Sequence, residues 1–471
     1  MTRLLPGVAS FLAATVVALT GLYASAGTPG EPAERPGVVK LRLLGVNDFH
    51  GHLEPPRPGI GGAAWLGAHL DRATVPERTI RVHAGDMVGA SPLLSSWFKD
   101  EPTIEAANQM GFDVGTVGNH EFDEGGDELL RLLRLARFPY VAANTRLRDG
   151  GGLLLPPYEV VERAGVRVGF IGVTTASTPR FLLERHAARF RFADISDAVN
   201  DWVPELRRRG VEAIVVLAHA GGPAQDESDA PEFVGEIVDE TREMSPAVDV
   251  VIAGHSHSRL DLRVPNPDGS GDKLVVEALS YGMAYDLVDI SVDVRSGDVV
   301  AKSGRVAGTG HAGVPPAAGL AALVERYRSR LAPLADRVVG HAQAVLTRSG
   351  GELGRLVAAG ERAFAGTDAA VVSPGALRAD IDSGPITYAE LAAALAYDHP
   401  LMRFTASGRE LRSLAEGGAH YAGPAELDPE ATYTVAASEL LVPRGRPVGT
   451  EVEALDWHLA RRGSVPAVPD G

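Results

Sequence analysis

The chain contains no cysteine among its 471 residues, and this absence excludes several kinds of chemistry. It can form no disulfide, no thiolate ligand for a metal and no lipid anchor attached to cysteine. Stability must therefore come from the hydrophobic core and from any bound metal ions. Any metal site must be built from oxygen and imidazole-nitrogen ligands.

Positive charge is also scarce, since 45 Lys and Arg stand against 61 Asp and Glu, which gives a formal net charge of −16. Such a balance argues against a general binder of nucleic-acid polymers or anionic membranes. An anionic substrate would need a local cationic site, supplied by metal ions or by a few arginines. We therefore expect a small-molecule partner rather than a nucleic acid.

Long apolar runs are absent beyond the first residues of the chain. Arg3 precedes the almost wholly apolar stretch 4–23, and Ala24-Ser25-Ala26 fits the small-residue pattern of a cleavage site. We expect residues 1–26 to be a signal peptide, with an uncleaved membrane anchor as the alternative. The prediction is an exported protein, extracellular or associated with the cell envelope, with no stable membrane association after cleavage.

The length favours two domains, because one hydrophobic core rarely serves so many residues. Composition and periodicity predict the following organisation: a signal peptide at 1–26, a flexible lead-in at 27–37, a large first domain at 38–305, a linker and connecting helix at 306–338, a smaller second domain at 339–445 and a tail at 446–471. Pro, Gly and Arg in the tail predict poor order there.

Short apolar runs alternate with amphipathic stretches in the first domain. We predict strands at 38–46, 79–83, 114–117, 140–143, 166–173, 213–218 and 248–253. The intervening helices, such as 195–209, indicate an α/β fold with helices covering both faces of a largely buried sheet.

Five polar clusters stand where these strands end. They are Asn47-Asp48-Phe49-His50, Gly85-Asp86, Gly118-Asn119-His120, Ala218-His219 and Gly254-His255-Ser256-His257. In open α/β sheets the ligand crevice lies at the carboxyl ends of the strands, so we expect these clusters to meet. Oxygen and imidazole ligands without thiolates suit zinc, manganese or iron. Each cluster alone is a weak signal, and we interpret Asn47, His52 and His83 as supporting or surface groups.

The series Asp48-x-His50, Gly85-Asp86, Gly118-Asn119-His120-Glu121, His219 and Gly254-His255-x-His257 resembles the calcineurin-like metallophosphoesterase signature. Asn-Asp-Phe-His-Gly-His and Gly-Asn-His-Glu-Phe-Asp resemble the exported 5′-nucleotidase branch, which includes UDP-sugar hydrolases and 2′,3′-cyclic-nucleotide phosphodiesterases. The resemblance implies an α+β sandwich of the metallophosphoesterase type, followed by a second, smaller α/β domain that looks shortened here.

The resemblance further implies a site for two divalent metal ions. Asp48, His50 and His257 would hold one ion, Asn119, His219 and His255 would hold the other, and Asp86 would bridge both. In bacterial nucleotidases a glutamine can stand at the position of His257. Two ions about 3.5–4 Å apart lower the pKa of a shared water and bind the phosphoryl oxygens. A hydroxide that bridges the two ions can then attack phosphorus.

His120 follows the ligand Asn119 and is not itself assigned to a metal. We expect His120 to stabilise the transition-state oxygens or to protonate the leaving alkoxide, with Asp123 orienting its ring. The alternative is a structural histidine that bonds a nearby backbone carbonyl. We interpret Glu121 as scaffolding.

By the same resemblance, the second domain supplies substrate-binding residues. Arg378 would clamp phosphate, Arg348 would be a second phosphate-side arginine, Tyr397 would stack on a base, and His399 would replace an amide. The chain departs from the family at Ser373, after Glu416, and at 438–441, where a second stacking aromatic and a Gly-Gly-Asp-Gly turn have no counterpart. A base held between two rings is therefore not expected.

The leading hypothesis is an exported 5′-nucleotidase that hydrolyses nucleotide phosphomonoesters. The alternative is a metal-dependent phosphodiesterase or phosphatase that acts on cyclic nucleotides, UDP-sugars or non-nucleotide esters. A remote alternative is a surface binding protein with a degenerate site.

Overall fold

The structure, a computed structural model, describes residues 36–222 and 235–466. The expected signal peptide and the last five residues of the expected tail lie outside the described residues. Residues from Gly37 onwards belong to one compact unit. No helix in the described ranges combines the length and apolar character required to span a bilayer.

The strands are β1 Val38–Val46, β2 Thr79–His83, β3 Val114–Thr116, β4 Tyr140–Val141, β5 Thr145–Leu147, β6 Tyr158–Arg163, β7 Val166–Thr174, β8 Phe190–Phe192, β9 Ala213–His219, β10 Val250–Ala253, β11 Arg259–Pro265, β12 Asp272–Ala278, β13 Ala284–Asp293, β14 Val299–Gly308, β15 Val338–Ala342, β16 Ala369–Val372, β17 Gly384–Thr387, β18 Pro400–Ser407, β19 His420–Ala422, β20 Thr432–Ser438 and β21 Arg446–Thr450.

The helices are α1 Ala63–Ala73, α2 Leu93–Ser96, α3 Glu101–Met110, α4 Gly126–Leu133, α5 Glu184–Ala187, α6 Ile195–Arg208, α7 Glu236–Glu243, α8 Ala318–Ala335, α9 Glu352–Ala365, α10 Tyr388–Ala394, α11 Gly408–Ala415 and α12 Glu451–Arg462. Three short 3-10 helices lie at His120–Phe122, Thr178–Arg180 and Pro374–Ala376.

Two six-stranded sheets form the first domain, with the orders β14-β13-β1-β2-β3-β4 and β11-β12-β10-β9-β7-β6. Apolar side chains of both sheets share one buried layer, in which Leu43 and Val82 meet Phe170 and Val215. The expectation of one sheet with helices on both faces is therefore wrong. Both faces of the central strands are buried, as expected, but one face of each sheet packs against the other sheet. A strand buried on both faces has the same apolar sequence pattern whether a helix or a sheet packs on it.

Helices cover the outer face of each sheet. Helices α1 and α3 pack on the first sheet, α8 packs on α1 and α3, and α6 and α7 pack on the second sheet. Helix α6 shows the local cause, because Asp194 caps its first turn by accepting from the backbone N–H of Asp197. Its buried face carries Ile195, Val199 and Leu206 at helical spacing.

The second domain follows helix α8. A five-stranded sheet in the order β19-β16-β20-β18-β21 packs with α9 and α12, and β15 pairs with β17. The expected linker at 306–338 begins too early, because β14 continues to Gly308.

The expected tail at 446–471 is wrong over most of its length. Strand β21 and helix α12 lie there, and α12 starts with a capping box in which Thr450 and Glu453 bond each other's backbone. Val452, Leu455 and Leu459 of α12 are buried in the core of the second domain. The Pro and Gly residues before position 450 led to the prediction of a poorly ordered tail, although the apolar residues of α12 have helical spacing.

Candidate metal centre

The five polar clusters meet, although they leave two different sheets. The stretches after β1, β2 and β3 supply Asp48, His50, Asp86 and Asn119 from the first sheet. The end of β9 and the turn after β10 supply His219, His255 and His257 from the second. Within each sheet the central strands run parallel, so their carboxyl ends share an edge.

One candidate metal-binding group consists of Asp48, His50 and His257. Asp48 Oδ1 lies 3.7 Å from His50 Nε2 and 3.4 Å from His257 Nε2, and the two Nε2 atoms are 3.2 Å apart. His50 Nδ1 lies 2.9 Å from the carbonyl oxygen of Gly89, which turns Nε2 towards the group. This is the orientation that a ligating histidine takes when its other nitrogen is held by a carbonyl.

A second candidate group consists of Asp86, His219 and His255. Asp86 Oδ2 lies 3.0 Å from His219 Nε2 and also 3.6 Å from His50 Nε2 in the first group. Asn119 Oδ1 lies 3.1 Å from His219 Nε2, so the amide belongs to the same group. Asp86 therefore touches both groups, as a bridging carboxylate must.

The backbone at these residues is strained. Asp48, His50, Asp86, His255 and His257 all have positive φ, between 47° and 77°. Residues other than glycine rarely adopt this region, and they keep it only where the surroundings over-determine it. Five of the seven expected ligands share this feature, which marks the edge as a functional site.

The buried carboxylates dominate the electrostatics of the centre. Burial alone would raise the pKa of Asp48, but the nearby His257, His50 and His219 rings hold it well below its ordinary value. Burial alone would lower the pKa of His219, but Asp86 raises it to about 10. The pocket thus strongly attracts positive charge.

The residues present fit divalent metal ions. Asp48 Oδ1 is buried and lacks a hydrogen-bond partner, while Oδ2 accepts from the backbone N–H of His255. An orphaned carboxylate oxygen facing two imidazole nitrogens is the donor set that zinc, manganese or iron takes. At Gly118 a Cβ atom would lie 2.2 Å from Asp86 Oδ1, so only glycine allows this approach.

Two buried glutamates hold the ligand loops in place. Glu121 accepts from the backbone N–H groups of Asp86, Met87 and Gly118. Glu277 accepts from Ser256 Oγ and from the backbone N–H of Ser258 in the turn that carries His255 and His257. Sequence reasoning treated Glu121 as scaffolding and missed Glu277, which follows the apolar residues 274–276 of β12.

His120 lies at the rim of the centre. Its backbone N–H donates to Asp86 Oδ1 at 2.8 Å, and its Nδ1 lies 2.7 Å from Asp123 Oδ2. Burial lowers the pKa of His120, but Asp123 and Asp86 raise it to about 9. His186 Nδ1 lies 2.5 Å from the carbonyl oxygen of Asp123 and fixes that residue in turn.

Two of the expected substrate residues reach the centre from the second domain. The Arg378 guanidinium lies 5.4 Å from the centroid of the Tyr397 ring and beside the hydroxyl of Tyr281. The Tyr397 ring is parallel to that of His120, with centroids 6.4 Å apart. Tyr281, which sequence reasoning missed, also contacts the His257 ring at 5.3 Å.

The other two expected substrate residues make contacts within the second domain. Arg348 pairs with Asp380 and donates to the carbonyl oxygen of Arg378, so it supports the loop that carries Arg378. The His399 ring stacks on Tyr397 with centroids 5.5 Å apart, and its backbone N–H donates to Glu451.

A cavity of about 610 Å³ opens beside His120, and both domains line it. Its wall includes Trp97 and Phe181 of the first domain and Tyr397 of the second. Neither Trp97 nor Phe181 carried a sequence signal beyond being an aromatic residue in a loop after a buried strand.

Paired carboxylate and histidine groups at the shared edge of a two-sheet sandwich define a protein of the metallophosphoesterase class. A family model described as Calcineurin-like phosphoesterase matches residues 41–259, and one described as 5′-nucleotidase, C-terminal domain, matches residues 338–425. The chain belongs to the calcineurin-like phosphoesterases that carry a 5′-nucleotidase C-terminal domain, a family of hydrolases acting on phosphoric esters. The expected resemblance and fold class are confirmed.

Similar proteins extend beyond this chain. Endonuclease YhcR of Bacillus subtilis is 34% identical over 407 residues, covering 80% of this chain and 32% of that protein. Cell wall protein Lmo0130 of Listeria monocytogenes is 32% identical over 402 residues, covering 73% of this chain and 50% of that protein. The chain thus spans from about a third to half of the length of these curated relatives.

Among solved structures, a 5′-nucleotidase precursor from Thermus thermophilus superposes with a TM-score of 0.74. The two are 24% identical in sequence, and the match covers 91% of this chain and 97% of that one. At this identity the likeness establishes the shared fold of both domains.

Proposed function

We propose that the protein is an exported phosphohydrolase that cleaves nucleotide 5′-phosphomonoesters with the help of two divalent metal ions. The observation that carries the proposal is the contact of Asp86 with both candidate groups, beside the His120–Asp123 pair. Asp48, His50 and His257 would hold one ion, and Asn119, His219 and His255 the other. When bound, the ions would polarise the phosphoryl oxygens and activate water as the nucleophile.

Residues of the chain then supply a proton to the leaving oxygen and balance the charge of the phosphoryl oxygens. One P–O bond forms with the oxygen of water while the bond from phosphorus to the 5′ oxygen breaks. His120, held by Asp123, donates its proton to the departing 5′ oxygen, so that a neutral alcohol leaves rather than an alkoxide. Arg378 lies beside Tyr281 at the same edge, where its guanidinium can pair with phosphoryl oxygens.

Removal of the metal tests the proposal. Protein treated with a chelator and shown to be metal-free by elemental analysis should release no phosphate from AMP. Adding back zinc, manganese or iron(II) singly should restore turnover and identify the ion. Full activity in metal-free protein would contradict the proposal.

A second candidate function is hydrolysis of phosphodiesters, favoured by one observation. The relative YhcR is named an endonuclease, and the second domain of this chain lacks the expected second stacking ring. Rates on AMP, a bis-aryl phosphate diester, a 2′,3′-cyclic nucleotide and UDP-glucose separate the two functions. A higher kcat/KM on a diester than on AMP would favour the second candidate.

Export is part of the proposal. Its supports are the apolar stretch 4–23 before Ala24-Ser25-Ala26 and the likeness to a protein named as a cell wall protein. Expression of the full chain followed by N-terminal sequencing of the secreted fraction should give a start at Gly27. Recovery of the whole chain in the cell interior would contradict it.

A further inference from the structure

The position of His120 determines where the leaving group of the substrate lies. If this residue gives a proton to the departing oxygen, the rest of the leaving group occupies the space next to it. The space beside His120 is the cavity of about 610 Å³ between the two domains. That volume falls within the range of pockets that hold small ligands.

Two exposed aromatic rings line this cavity. Trp97 is 52% exposed and Phe181 is 43% exposed. Within residues 36–222 and 235–466 they are the only exposed Phe, Tyr or Trp side chains. Large apolar rings left in water in one cavity mark a surface that a ligand covers.

The rings of the second domain offer less free surface. Tyr397 already stacks on His399 and carries the Arg378 guanidinium at 5.4 Å from its centroid. Residues 438–441, where a second ring is expected, contain no aromatic. A planar group in the cavity would therefore find its free stacking partners on the first domain.

Phe181 connects the cavity to the metal centre. Its ring meets that of His255 edge to face, with centroids 5.3 Å apart. If the phosphate of a substrate lies at the two candidate groups, the rest of the substrate extends past Phe181 into the cavity.

The charge of the cavity wall is mostly negative. Six carboxyl groups line it, against Lys99 and Arg185. Arg185 is paired with Glu439 of the second domain, and Glu128 with Arg131. A leaving group that carries a further phosphate would be repelled, because like charges at close range cost free energy.

We propose that Trp97 and Phe181 form a subsite for the uncharged, planar base of the nucleoside that leaves when a nucleoside 5′-monophosphate is cleaved. The inference rests on the proposed function and adds the two residues that hold the base, together with selection against UDP-sugars. The second domain then mainly holds the phosphate, through Arg378.

Two substrates with the same 5′ phosphate and different leaving groups test the subsite. Steady-state kinetics on AMP and on ribose 5-phosphate should be measured for Trp97→Ala, Phe181→Ala and the control Leu135→Ala, which removes an exposed apolar side chain outside the cavity. Each aromatic variant should raise KM for AMP about tenfold, because stacking of the base on one ring is lost. KM for ribose 5-phosphate should stay within about twofold, and Trp97→Phe should restore most of the affinity for AMP.

The contradicting results are distinct. Equal rises in KM for both substrates, or no rise for AMP, would overturn the subsite while leaving the proposed function standing. Comparable kcat/KM on UDP-glucose and AMP would overturn the selection by charge. A wild-type protein that hydrolyses neither AMP nor ribose 5-phosphate would overturn the proposed function and the subsite together.

Discussion

The buried carboxyl group of Glu121 accepts a hydrogen bond of 2.9 Å from the backbone N–H of Asp86. The same side chain accepts from Gly118 N–H, just before Asn119, so it ties together two loops that carry expected metal ligands. Neither loop belongs to a helix or strand at these points. The geometry of the centre thus depends on Glu121, whose hydrogen bonds go to backbone N–H groups and not to the side-chain atoms expected to bind metal.

Replacing Glu121 should weaken metal binding without touching a ligand. In Glu121→Gln, one acceptor oxygen becomes an amide donor that faces backbone N–H groups. We expect metal affinity to fall about 10–100-fold, the usual cost of losing a supporting partner, and stability to fall by about 1–3 kcal/mol. Competition with a zinc chelator and urea unfolding measure the two effects. The control is Glu101→Gln, whose carboxylate pairs with Arg131 at the surface, and unchanged affinity in Glu121→Gln would contradict the role.

Replacing Asp86 should have a larger effect than replacing its supporting partner. Asp86→Asn keeps the size of the side chain but removes the charge shared by the two groups. Metal content should fall below that of the wild type, and kcat on AMP should fall by more than about 100-fold, beyond the range for supporting partners. Elemental analysis and phosphate release measure the outcome. Unaltered turnover would show that Asp86 bridges nothing and would revive the alternative of a non-catalytic binding protein.

The role of His120 predicts a dependence on the leaving group. His120→Ala should lower kcat on AMP about 10²–10⁴-fold, because an alkoxide leaves poorly without a proton. The loss should be much smaller for p-nitrophenyl phosphate, whose leaving phenolate needs no proton. Asp123→Asn should show the same pattern with a smaller loss. Equal losses on both substrates would instead assign His120 to stabilising the transition-state oxygens.

Two buried glutamates of the second domain predict a loss of stability as pH rises. Burial raises the pKa of Glu361 well above its ordinary value, and the nearby Glu451 adds to the rise. Burial likewise raises the pKa of Glu451 to about 8, and Asp398 adds to that rise. The folded protein therefore keeps protons that the unfolded chain has released once pH exceeds about 4.5. The free energy of unfolding should fall as pH rises from about 5 towards 8, and Glu361→Gln should flatten this fall by at least about 1 kcal/mol.

Urea unfolding at several pH values tests this, followed by tryptophan fluorescence, to which Trp457 of helix α12 contributes. The exposed Glu426→Gln is the matched control, and it should leave the pH dependence unchanged. A wild-type stability that rises between pH 5 and 8, or a Glu361→Gln protein with the same slope, would contradict the prediction.

The sequence predicts that the residues of the two candidate groups come together, because each of them stands in a recognisable local pattern. Asp48, Asp86 and His219 stand at the ends of apolar strands, and parallel strands bring such ends together whatever covers their faces. The division into two sheets was not predictable from the same pattern. A strand such as β9, buried on both faces, has the same composition under a helix or under another sheet.

The cavity could not be predicted, because it depends on how the two domains pack. Trp97 and Tyr397 are 300 positions apart, and no local pattern relates them. The helix at Glu451–Arg462 was missed for a different reason, since the Pro and Gly residues before it outweighed the apolar spacing of Val452, Leu455 and Leu459.

The left-handed backbone at five expected ligands has a practical consequence for protein engineering. Copying the short motifs around Asp48, Asp86 and His255 into another scaffold would transfer the side chains without the conformation that aims them. Each grafted residue would relax to negative φ, at a gain of about 1–3 kcal/mol, and point elsewhere. A functional transplant must carry Glu121 and Glu277 as well, because the hydrogen bonds they accept are part of what holds that conformation.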